Sequence, residues 1–374
     1  MSASGYDAVV VGAGIVGAAC AADFARNGLR VAVIEAGVIG GGATAAGMGH
    51  LTVMDDSEAQ FALTHYSQIL WKELAQSLPP DVEYYPCGTI WVAADDQEMA
   101  EVCRKHEFYL ERGVATEILN ALDLATAEPN LRKGLAGGLL VPGDSVVYPP
   151  CAARFLIQDA ERRGASVTVG RRVAEITDAG VRLDDGTSYS SAMTVIATGT
   201  AVSQWVPGVA VQPRKGHLVI TDRYPGFLHH QLIELGYLKS ARALDADSVA
   251  FNVQPRQTGQ ILIGSSRQYG TEDSAVEPQM LAAMLRRAVE YMPGIGKLSA
   301  IRSWTGFRAA TPDKLPLIGR CPGYKNVYLA TGHEGLGITT SLATARLLTD
   351  CVMGRESAIP RAPYLPERSH ALHV

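Results

Sequence analysis

The sequence lacks an apolar run long enough to cross a membrane, and it lacks an excess of basic residues. Its 374 residues are 47% hydrophobic and 19% charged, and the formal net charge is -5 at pH 7. A membrane-spanning helix needs roughly 18 consecutive apolar residues, and nucleic-acid binding needs a basic surface that neutralises phosphates. We therefore expect neither a transmembrane helix nor a nucleic-acid partner.

Paired cysteines and an export signal are also missing. No two of the six cysteines form a Cys-x-x-Cys pair of the kind that holds zinc or an iron–sulfur cluster. Residues 1–5 have neither the charged nor the apolar region of a signal peptide. We therefore expect no metal site within the chain, reduced thiols that are mostly packing groups, and a cytoplasmic protein.

A glycine-rich turn near the start of the chain carries the clearest motif. The segment Gly12–Gly17 reads Gly-x-Gly-x-x-Gly, with an apolar strand before it at Tyr6–Val11 and a helix after it at Gly14–Asn27. In such a unit the glycines permit a tight turn, close approach of the backbone to a pyrophosphate, and close packing of helix on strand. The next strand, Leu29–Glu35, ends in a carboxylate that can accept hydrogen bonds from ribose hydroxyls and that disfavours a 2′-phosphate. The sequence therefore predicts a site for NAD or FAD and not for NADP.

Three later segments favour FAD over NAD. The Gly- and Ala-rich stretch Gly40–Gly49 follows the second strand and suits close backbone approach to a ligand. Val195–Gly199 is a second strand that ends in a Thr-Gly turn, and Ala330–Thr339 is a strand, a glycine turn and a helix start. Reduction of a flavin leaves negative charge on one edge of its ring, and a helix N-terminus directed there stabilises that charge.

The order of strands and helices predicts an α/β fold, α+β overall. A Rossmann-like FAD-binding domain is expected to be interleaved with a substrate domain on a mixed or antiparallel sheet. The predicted FAD-binding domain comprises residues 1–54, 148–215 and 300–374, and the predicted substrate domain comprises residues 55–147 and 216–299. Within the substrate domain, residues 55–147 are interpreted as mostly helical, apart from a strand at Gly88–Ala93. The substrate pocket is expected on the middle sheet near Ser248–Val253.

Together with Pro213–Gly216, Trp304–Arg308 and Thr311–Gly319, these motifs occur in an order that resembles the D-amino acid oxidase-like flavoproteins. That family includes glycine oxidase, sarcosine oxidase and the β subunits of amino-acid dehydrogenase complexes, and the resemblance covers nearly the whole chain. The segment Gly332–Thr340 and the size look most similar to the catalytic β subunits of D-hydroxyproline dehydrogenase and related amine dehydrogenases.

The resemblance implies FAD-dependent oxidation of a D-amino or cyclic imino acid, such as D-hydroxyproline or D-proline, to the imine. It also implies a heteromeric complex in which a partner subunit carries an iron–sulfur cluster. In some relatives FMN occupies the subunit interface.

The motifs and the resemblance together predict a set of cofactor-binding residues. They are Gly12, Gly14, Ile15, Val16, Gly17, Glu35, Ala36, Gly42, Ala43, Thr44, Gly47, Met48, Gly49, His50, Val173, Ala197, Thr198, Gly199, Arg308, Gly332, Glu334, Gly335, Leu336, Gly337, Ile338 and Thr339.

Three residues are predicted to act on the substrate. An amino-acid carboxylate needs a fixed cation, and a guanidinium binds it through two parallel hydrogen bonds. The resemblance assigns this role to Arg308, and Arg302 is the second candidate. His50 and His333 lie in flavin-side motifs and are expected to face the flavin or the substrate, with a hydrogen-bonded structural role as the alternative for each.

Several functions remain open from the sequence. Besides the dehydrogenase subunit, the chain fits a stand-alone glycine, sarcosine or D-amino acid oxidase that passes electrons to oxygen. A non-catalytic FAD-binding subunit of an assembly and a nicotinamide-dependent dehydrogenase are the remaining alternatives.

Overall fold

Two eight-stranded β-sheets and one two-stranded sheet organise the computed structural model, which describes residues 5–236 and 247–368. The strands are β1 (Tyr6–Val11), β2 (Val31–Glu35), β3 (His50–Leu51), β4 (Thr89–Ala93), β5 (Glu117–Asn120), β6 (Gly137–Val141), β7 (Ser145–Val146), β8 (Ser166–Val169), β9 (Val173–Thr177), β10 (Gly180–Leu183), β11 (Ser188–Ile196), β12 (Gln212–Thr221), β13 (Gln231–Glu234), β14 (Ser248–Pro255), β15 (Ile261–Arg267), β16 (Ala300–Ala310), β17 (Leu317–Arg320) and β18 (Val327–Thr331). The α-helices are α1 (Ile15–Arg26), α2 (Gly42–Ala45), α3 (Glu58–Ala75), α4 (Asp96–Glu111), α5 (Ala121–Ala127), α6 (Pro149–Arg162), α7 (Pro278–Tyr291) and α8 (Gly337–Val352).

The first sheet has the order β17-β18-β11-β1-β2-β8, with β9 and β10 attached beside β11. The pairs from β18 to β8 are parallel, while β17 joins the edge antiparallel. Parallel strands covered on both faces read as continuous apolar runs, as β1 and β2 do. Helix α1, whose buried positions are mostly alanine, packs against both α6 and α8. The predicted Rossmann-like sheet is confirmed.

The second sheet has the order β16-β12-β15-β14-β13-β4-β6-β5, and all its pairs are antiparallel except β13 with β4. Helix α7 covers β14 and β15, and α4 covers β4 and β6. The helices predicted for residues 55–147 are present as α3, α4 and α5, and the predicted strand at Gly88–Ala93 corresponds to β4, but the short strands β5, β6 and β7 in this region were not predicted. These strands are short, and β6 begins with two glycines, so pairing in the sheet decides their conformation where local propensity does not.

Two long strands lead from the second sheet towards the first. Strands β12 and β16 pair along nearly their whole lengths, with Arg214 opposite Arg308. Near the end of β16, Ala309 forms a bridge to Glu334 in the turn that follows β18 of the first sheet. The residues predicted to hold the flavin and the substrate therefore lie where the two sheets approach each other.

The cysteines are unpaired, and the described ranges contain no membrane-spanning helix. All six cysteines are free thiols, and Cys103 is the exposed one. No helix in the described ranges has the length and apolar character required to cross a bilayer. Within those ranges there is also no group of three or more His, Cys, Asp or Glu side chains placed to hold a metal ion.

Candidate active site

A cavity of about 470 Å³ is lined by residues of both large sheets. Each predicted cofactor-binding residue lines this cavity, with the exceptions of Gly17 and Thr339. These two residues lie behind the cavity wall and contact residues that line it. A Cβ on Gly17 would lie 1.9 Å from the carbonyl oxygen of Gly12, and Thr339 Oγ1 donates a hydrogen bond to the carbonyl oxygen of His50 at 2.8 Å.

The turn between β1 and α1 forms one end of the cavity. Gly12 has a positive φ of 102°, and a Cβ there would lie 2.7 Å from the carbonyl oxygen of Ala197. Gly14 is the N-cap of α1 and has no side chain to cap the helix. The first turn of a helix has free N–H groups and a positive dipole end, which together bind phosphate. This end of the cavity fits a diphosphate.

Glu35 lies directly beneath this turn. Its Oε2 accepts the backbone N–H of Ala13 at 2.7 Å, and its Oε1 accepts the N–H of Gly37 at 2.7 Å. Each carboxylate oxygen can accept a further hydrogen bond, so the side chain can fasten the turn and still meet a ribose.

Arg171 and Arg172 also line the nucleotide end of the cavity and were not predicted. They follow β8, which is the parallel neighbour of β2. Residues just after the carboxyl ends of parallel strands meet at one edge of a sheet. The two arginines after Ser166–Val169 could therefore have been predicted from the sequence to line the cavity.

The start of α8 forms another part of the cavity wall. Leu336 is the N-cap and supplies no side-chain cap, and Leu336, Gly337 and Ile338 line the cavity. A second helix N-terminus therefore opens into the same space as the first. Such an end stabilises negative charge that develops on a bound ring.

His333 lines the cavity, and its ring is hydrogen-bonded to helix α8, which follows it in the sequence. It is 7% exposed, and its Nε2 is hydrogen-bonded to Thr344 Oγ1 at 3.0 Å. Burial lowers the pKa of His333 to about 3, so the ring is neutral near pH 7. These contacts match the structural alternative for His333, while its role towards substrate stays a prediction.

Arg308 lies between two glycine motifs. Its Nη1 donates to the carbonyl oxygen of Ser266 at 3.0 Å. A Cβ on Gly216 would lie 2.5 Å from Nη1, and one on Gly335 would lie 3.4 Å from Nε. The guanidinium therefore occupies space that a Cβ at position 216 would fill, while Gly335 packs beside it at an ordinary contact distance.

Other arginines occupy different environments. Arg302, the second candidate anchor, is exposed, lies over the Trp304 ring and does not line the cavity. Arg214 and Arg267 do line it and were not assigned a role from the sequence. Arg214 is 5% exposed and forms an ion pair with Glu334, so the predicted cofactor-binding carboxylate of Glu334 also positions a buried guanidinium.

The middle of the second sheet supplies a mixed apolar and polar wall. Asn252 of β14 lies there, within the predicted stretch Ser248–Val253, together with Trp91 of β4 and Ile233 of β13. Among the described residues, Asn252 Oδ1, Trp91 Nε1 and Gln60 Oε1 are buried without a hydrogen-bond partner. Buried polar atoms in proteins normally have partners, so these atoms fit a site that binds a polar ligand.

The geometry fits FAD throughout. Two helix N-termini, a glycine turn over Glu35 and a wall of Ala43, Gly47 and Gly49 line one continuous cavity. An NAD site needs the first glycine turn but has no use for a second helix end in the wall of the same cavity.

Comparison with known proteins agrees with this assignment. Glycine oxidase of Geobacillus kaustophilus is 29% identical over 96% of each chain. A crystal structure of glycine oxidase from that organism superposes with a TM-score of 0.86 at 27% identity, covering 96% of this chain and 98% of the other. The hydrogen cyanide synthase subunit HcnC of Pseudomonas aeruginosa is 27% identical over 97% of this chain and 96% of its own length.

Residues 7–351 match the family described as FAD dependent oxidoreductase, abbreviated DAO. The predicted family, fold class and FAD cofactor are thereby confirmed. This chain belongs to the DAO family and is an FAD-dependent oxidoreductase.

Proposed function

We propose that the protein oxidises a small α-amino or imino acid to the corresponding imine. Bound FAD supplies the redox chemistry, because it accepts a hydride from the substrate Cα. The observation that carries the proposal is the Arg308 guanidinium, held in the cavity wall between Gly216 and Gly335.

Arg308 is the proposed anchor for the substrate carboxylate. A guanidinium stays charged at every working pH and presents N–H groups in a planar fork that matches a carboxylate. The hydrogen bond to the Ser266 carbonyl and the close backbone of Gly216 fix the position of that fork. A substrate held at this point lies near the start of α8, because Gly335 contacts Arg308 and Leu336 caps the helix.

The amino group of the substrate is proposed to face His50 and Asn252. Hydride transfer from Cα requires the amine to be neutral. Burial lowers the pKa of His50, so its ring is an uncharged hydrogen-bonding group near pH 7. Trp91 and Ile233 supply the apolar part of the same wall, which suits a small side chain or a saturated ring.

The names of the relatives support a small substrate. The glycine oxidase of Geobacillus kaustophilus is similar to this chain in both sequence and structure, and glycine is the smallest α-amino acid. A stand-alone oxidase that uses oxygen is the first candidate for this chain on that basis.

A catalytic subunit of a complex is the second candidate. The observation that favours it is the likeness to HcnC, whose name describes a subunit of an enzyme. If this chain is such a subunit, we expect D-hydroxyproline or D-proline as its substrate. We also expect a partner subunit with an iron–sulfur cluster, and FMN at the interface between subunits.

The proposal is tested by anaerobic mixing of the yellow holoenzyme with single substrates. The panel comprises glycine, sarcosine, both enantiomers of proline, and D-hydroxyproline. Loss of the flavin absorbance at about 450 nm identifies a substrate. If every member of the panel leaves that absorbance unchanged, the proposed function is wrong.

Admission of air to the reduced enzyme then separates the two candidates. Rapid return of the absorbance indicates an oxidase. Return that needs an added dye indicates a dehydrogenase that passes electrons to a partner.

A further inference from the structure

A chain of hydrogen bonds connects a buried carboxylate to the cavity. Asp144 Oδ2 accepts from Thr89 Oγ1 at 2.6 Å, and Thr89 Oγ1 accepts from Gln231 Nε2 at 2.5 Å. Gln231 Oε1 in turn is hydrogen-bonded to Nδ1 of His50. The side chains of Asp144, Thr89 and Gln231 are 0% exposed, and of the four residues His50 alone lines the cavity.

The fold brings these residues together from four separate strands or turns. Thr89 begins β4 and Gln231 begins β13, and the parallel pairing of these strands sets the two residues side by side. His50 begins β3, which pairs with β7 immediately after Asp144. Each member is therefore fixed by backbone pairing and does not depend on a mobile loop.

The direction of every proton in the chain follows from the carboxylate. Burial raises the pKa of Asp144 to about 7, so the carboxylate is ionised above that pH. An ionised carboxylate only accepts hydrogen bonds, so the Thr89 hydroxyl then donates to Asp144. That hydroxyl has one proton, so it can only accept from Gln231, whose amide nitrogen must face it. The amide oxygen of Gln231 then faces His50, and because this oxygen only accepts, Nδ1 of His50 must carry the proton.

The protonated Nδ1 leaves Nε2 of the neutral ring as an acceptor. Nε2 accepts from Asn252 Nδ2 at 3.3 Å, which is longer than a usual hydrogen bond. Asn252 lines the cavity, whereas Gln231, which is bonded to Nδ1, does not. The edge of the ring that bears Nε2 is therefore the one on the cavity side. This arrangement also leaves Asn252 Oδ1 without a partner among the described residues.

We propose that Asp144, Thr89 and Gln231 are positioning residues that hold His50 as the Nδ1–H tautomer, so that Nε2 exchanges its long hydrogen bond from Asn252 Nδ2 for one from the amino group of the substrate. The inference rests on the proposed function, since it assigns the group that recognises the amine. The carboxylate and amino ends of the substrate are then read by separate parts of the wall, Arg308 and His50.

Hydrogen bonds to Asp144 favour its ionised, accepting form and partly offset the burial that raises its pKa. Gln68 Nε2 donates to Oδ1 at 2.8 Å, and the backbone N–H of Val53 donates to the same oxygen at 3.2 Å. Lys72 Nζ lies beside them, bonded to Gln68 Oε1 at 3.2 Å. A network that is satisfied in this way fixes one arrangement of its members.

The test uses the holoenzyme and the variant Thr89→Val, which replaces the hydroxyl by a methyl group of similar size and breaks the chain. Thr349→Val is the matched control, because Thr349 is also 0% exposed but bonds only backbone of its own helix, at Ala345. Asp144→Asn is the second variant. Its amide can donate to Thr89 and so permits the reversed direction of every bond in the chain.

The first measurement is ¹⁵N NMR of histidine-labelled protein, with the His50 signal identified by its loss in His50→Gln. At a pH well above the pKa of Asp144, we expect the wild type and Thr349→Val to show His50 protonated at Nδ1. Thr89→Val and Asp144→Asn are expected to show protonation at Nε2 or a mixture of tautomers. An unchanged Nδ1–H tautomer in both chain variants would overturn the proposal.

The second measurement compares ligands with and without an amino group. Glycine and D-proline are assayed by anaerobic flavin reduction, and acetate and tetrahydrofuran-2-carboxylate are assayed by the shift of the flavin absorbance on binding. In Thr89→Val we expect the apparent affinity for the amino acids to fall about tenfold, as for loss of one hydrogen bond, with carboxylate binding unchanged. Equal losses for both kinds of ligand would overturn the assignment.

Failure of the proposed function has a different signature. In that case no amino or imino acid reduces the wild-type flavin, while the tautomer of His50 still reports whether the chain controls the ring.

Discussion

The carboxylate of Glu35 accepts the backbone N–H of Ala13 at 2.7 Å. Ala13 is the residue between the first two glycines of the nucleotide turn, and Glu35 ends the neighbouring strand β2. The acidic side chain that is expected to bind ribose is therefore also part of the turn that receives the diphosphate. Both halves of the nucleotide site depend on one residue.

Replacing Glu35 should weaken FAD binding more than loss of a ribose contact alone. In Glu35→Ala both backbone N–H groups lose their acceptor, at Ala13 and at Gly37, and we expect the Kd for FAD to rise about 100-fold. In Glu35→Gln one acceptor oxygen remains, and the rise should be smaller. Titration of the apoprotein with FAD measures this, with Glu111→Ala, which removes an exposed carboxylate, as the control. Identical Kd values in Glu35→Ala and the control would contradict the double role.

Two glycines with positive φ offer a matched test of the nucleotide turn. A Cβ on Gly12 would lie 2.7 Å from the Ala197 carbonyl oxygen, whereas a Cβ on Gly28 would meet no atom within 4 Å. Gly28→Ala should cost about 1 kcal/mol, from backbone conformation alone. Gly12→Ala should cost at least about 3 kcal/mol and release FAD, because a clash with fixed backbone is added. Thermal unfolding and the flavin content of the purified variants distinguish these outcomes. Similar melting temperatures would show that the contact between a Cβ at position 12 and the Ala197 carbonyl oxygen does not lower stability.

Arg308 should control binding of carboxylates. We expect Arg308→Ala to weaken acetate binding about 100-fold and Arg308→Lys about tenfold, because lysine keeps the charge but loses the planar fork. The shift of the flavin absorbance during titration provides the measurement. Arg302→Ala is the control on the same strand and should bind acetate like the wild type, since Arg302 is exposed and lies outside the cavity. The assignment of the anchor would be wrong if Arg308→Ala and Arg302→Ala behaved alike.

Asp144 should make stability depend on pH. Burial raises the pKa of Asp144 from 3.8 to about 7. Between these values the native state binds more protons than the unfolded state, so the free energy of unfolding falls as the pH rises through this window. The contribution is fully present below about pH 3.8 and is lost above about pH 7.

The variant Asp144→Asn removes this titration. Relative to the variant, the wild type should lose on the order of a few kcal/mol of stability between pH 4 and pH 7. Melting temperatures of both proteins in saturating FAD, measured from pH 5 to pH 8, check the slope. Parallel curves across this range would show that Asp144 does not titrate there.

The nucleotide half of the site could be predicted closely from the sequence. Gly12, Glu35 and the start of α8 at Gly337 each sit at a junction of strand, turn and helix, and the backbone of that junction is what binds the cofactor. Such junctions are local, so neighbouring residues specify them. The short strands β5 and β6 were missed for the opposite reason, since their conformation depends on pairing with distant parts of the sheet.

The substrate half was predicted only in part. Arg308 lies in the motif and Asn252 in the stretch that the sequence suggested. Arg214 belongs to the motif Pro213–Gly216 but was given no role, and Arg267 of β15 lies in no motif. His50 was recognised as a candidate, yet nothing in its neighbourhood in the sequence indicates Gln231, which lies 181 positions away.

The sequence by itself determined the family, the doubly wound sheet and the cofactor, because glycines and a terminal carboxylate act through local backbone geometry. Tertiary structure alone decided which side chains of the second sheet line the cavity and which partners they bond. Strand pairing of β4 with β13 and of β3 with β7 brings Asp144, Thr89, Gln231 and His50 into one hydrogen-bonded chain. The tautomer of a histidine depends on its partners in space, and those partners are set only when the sheet has formed.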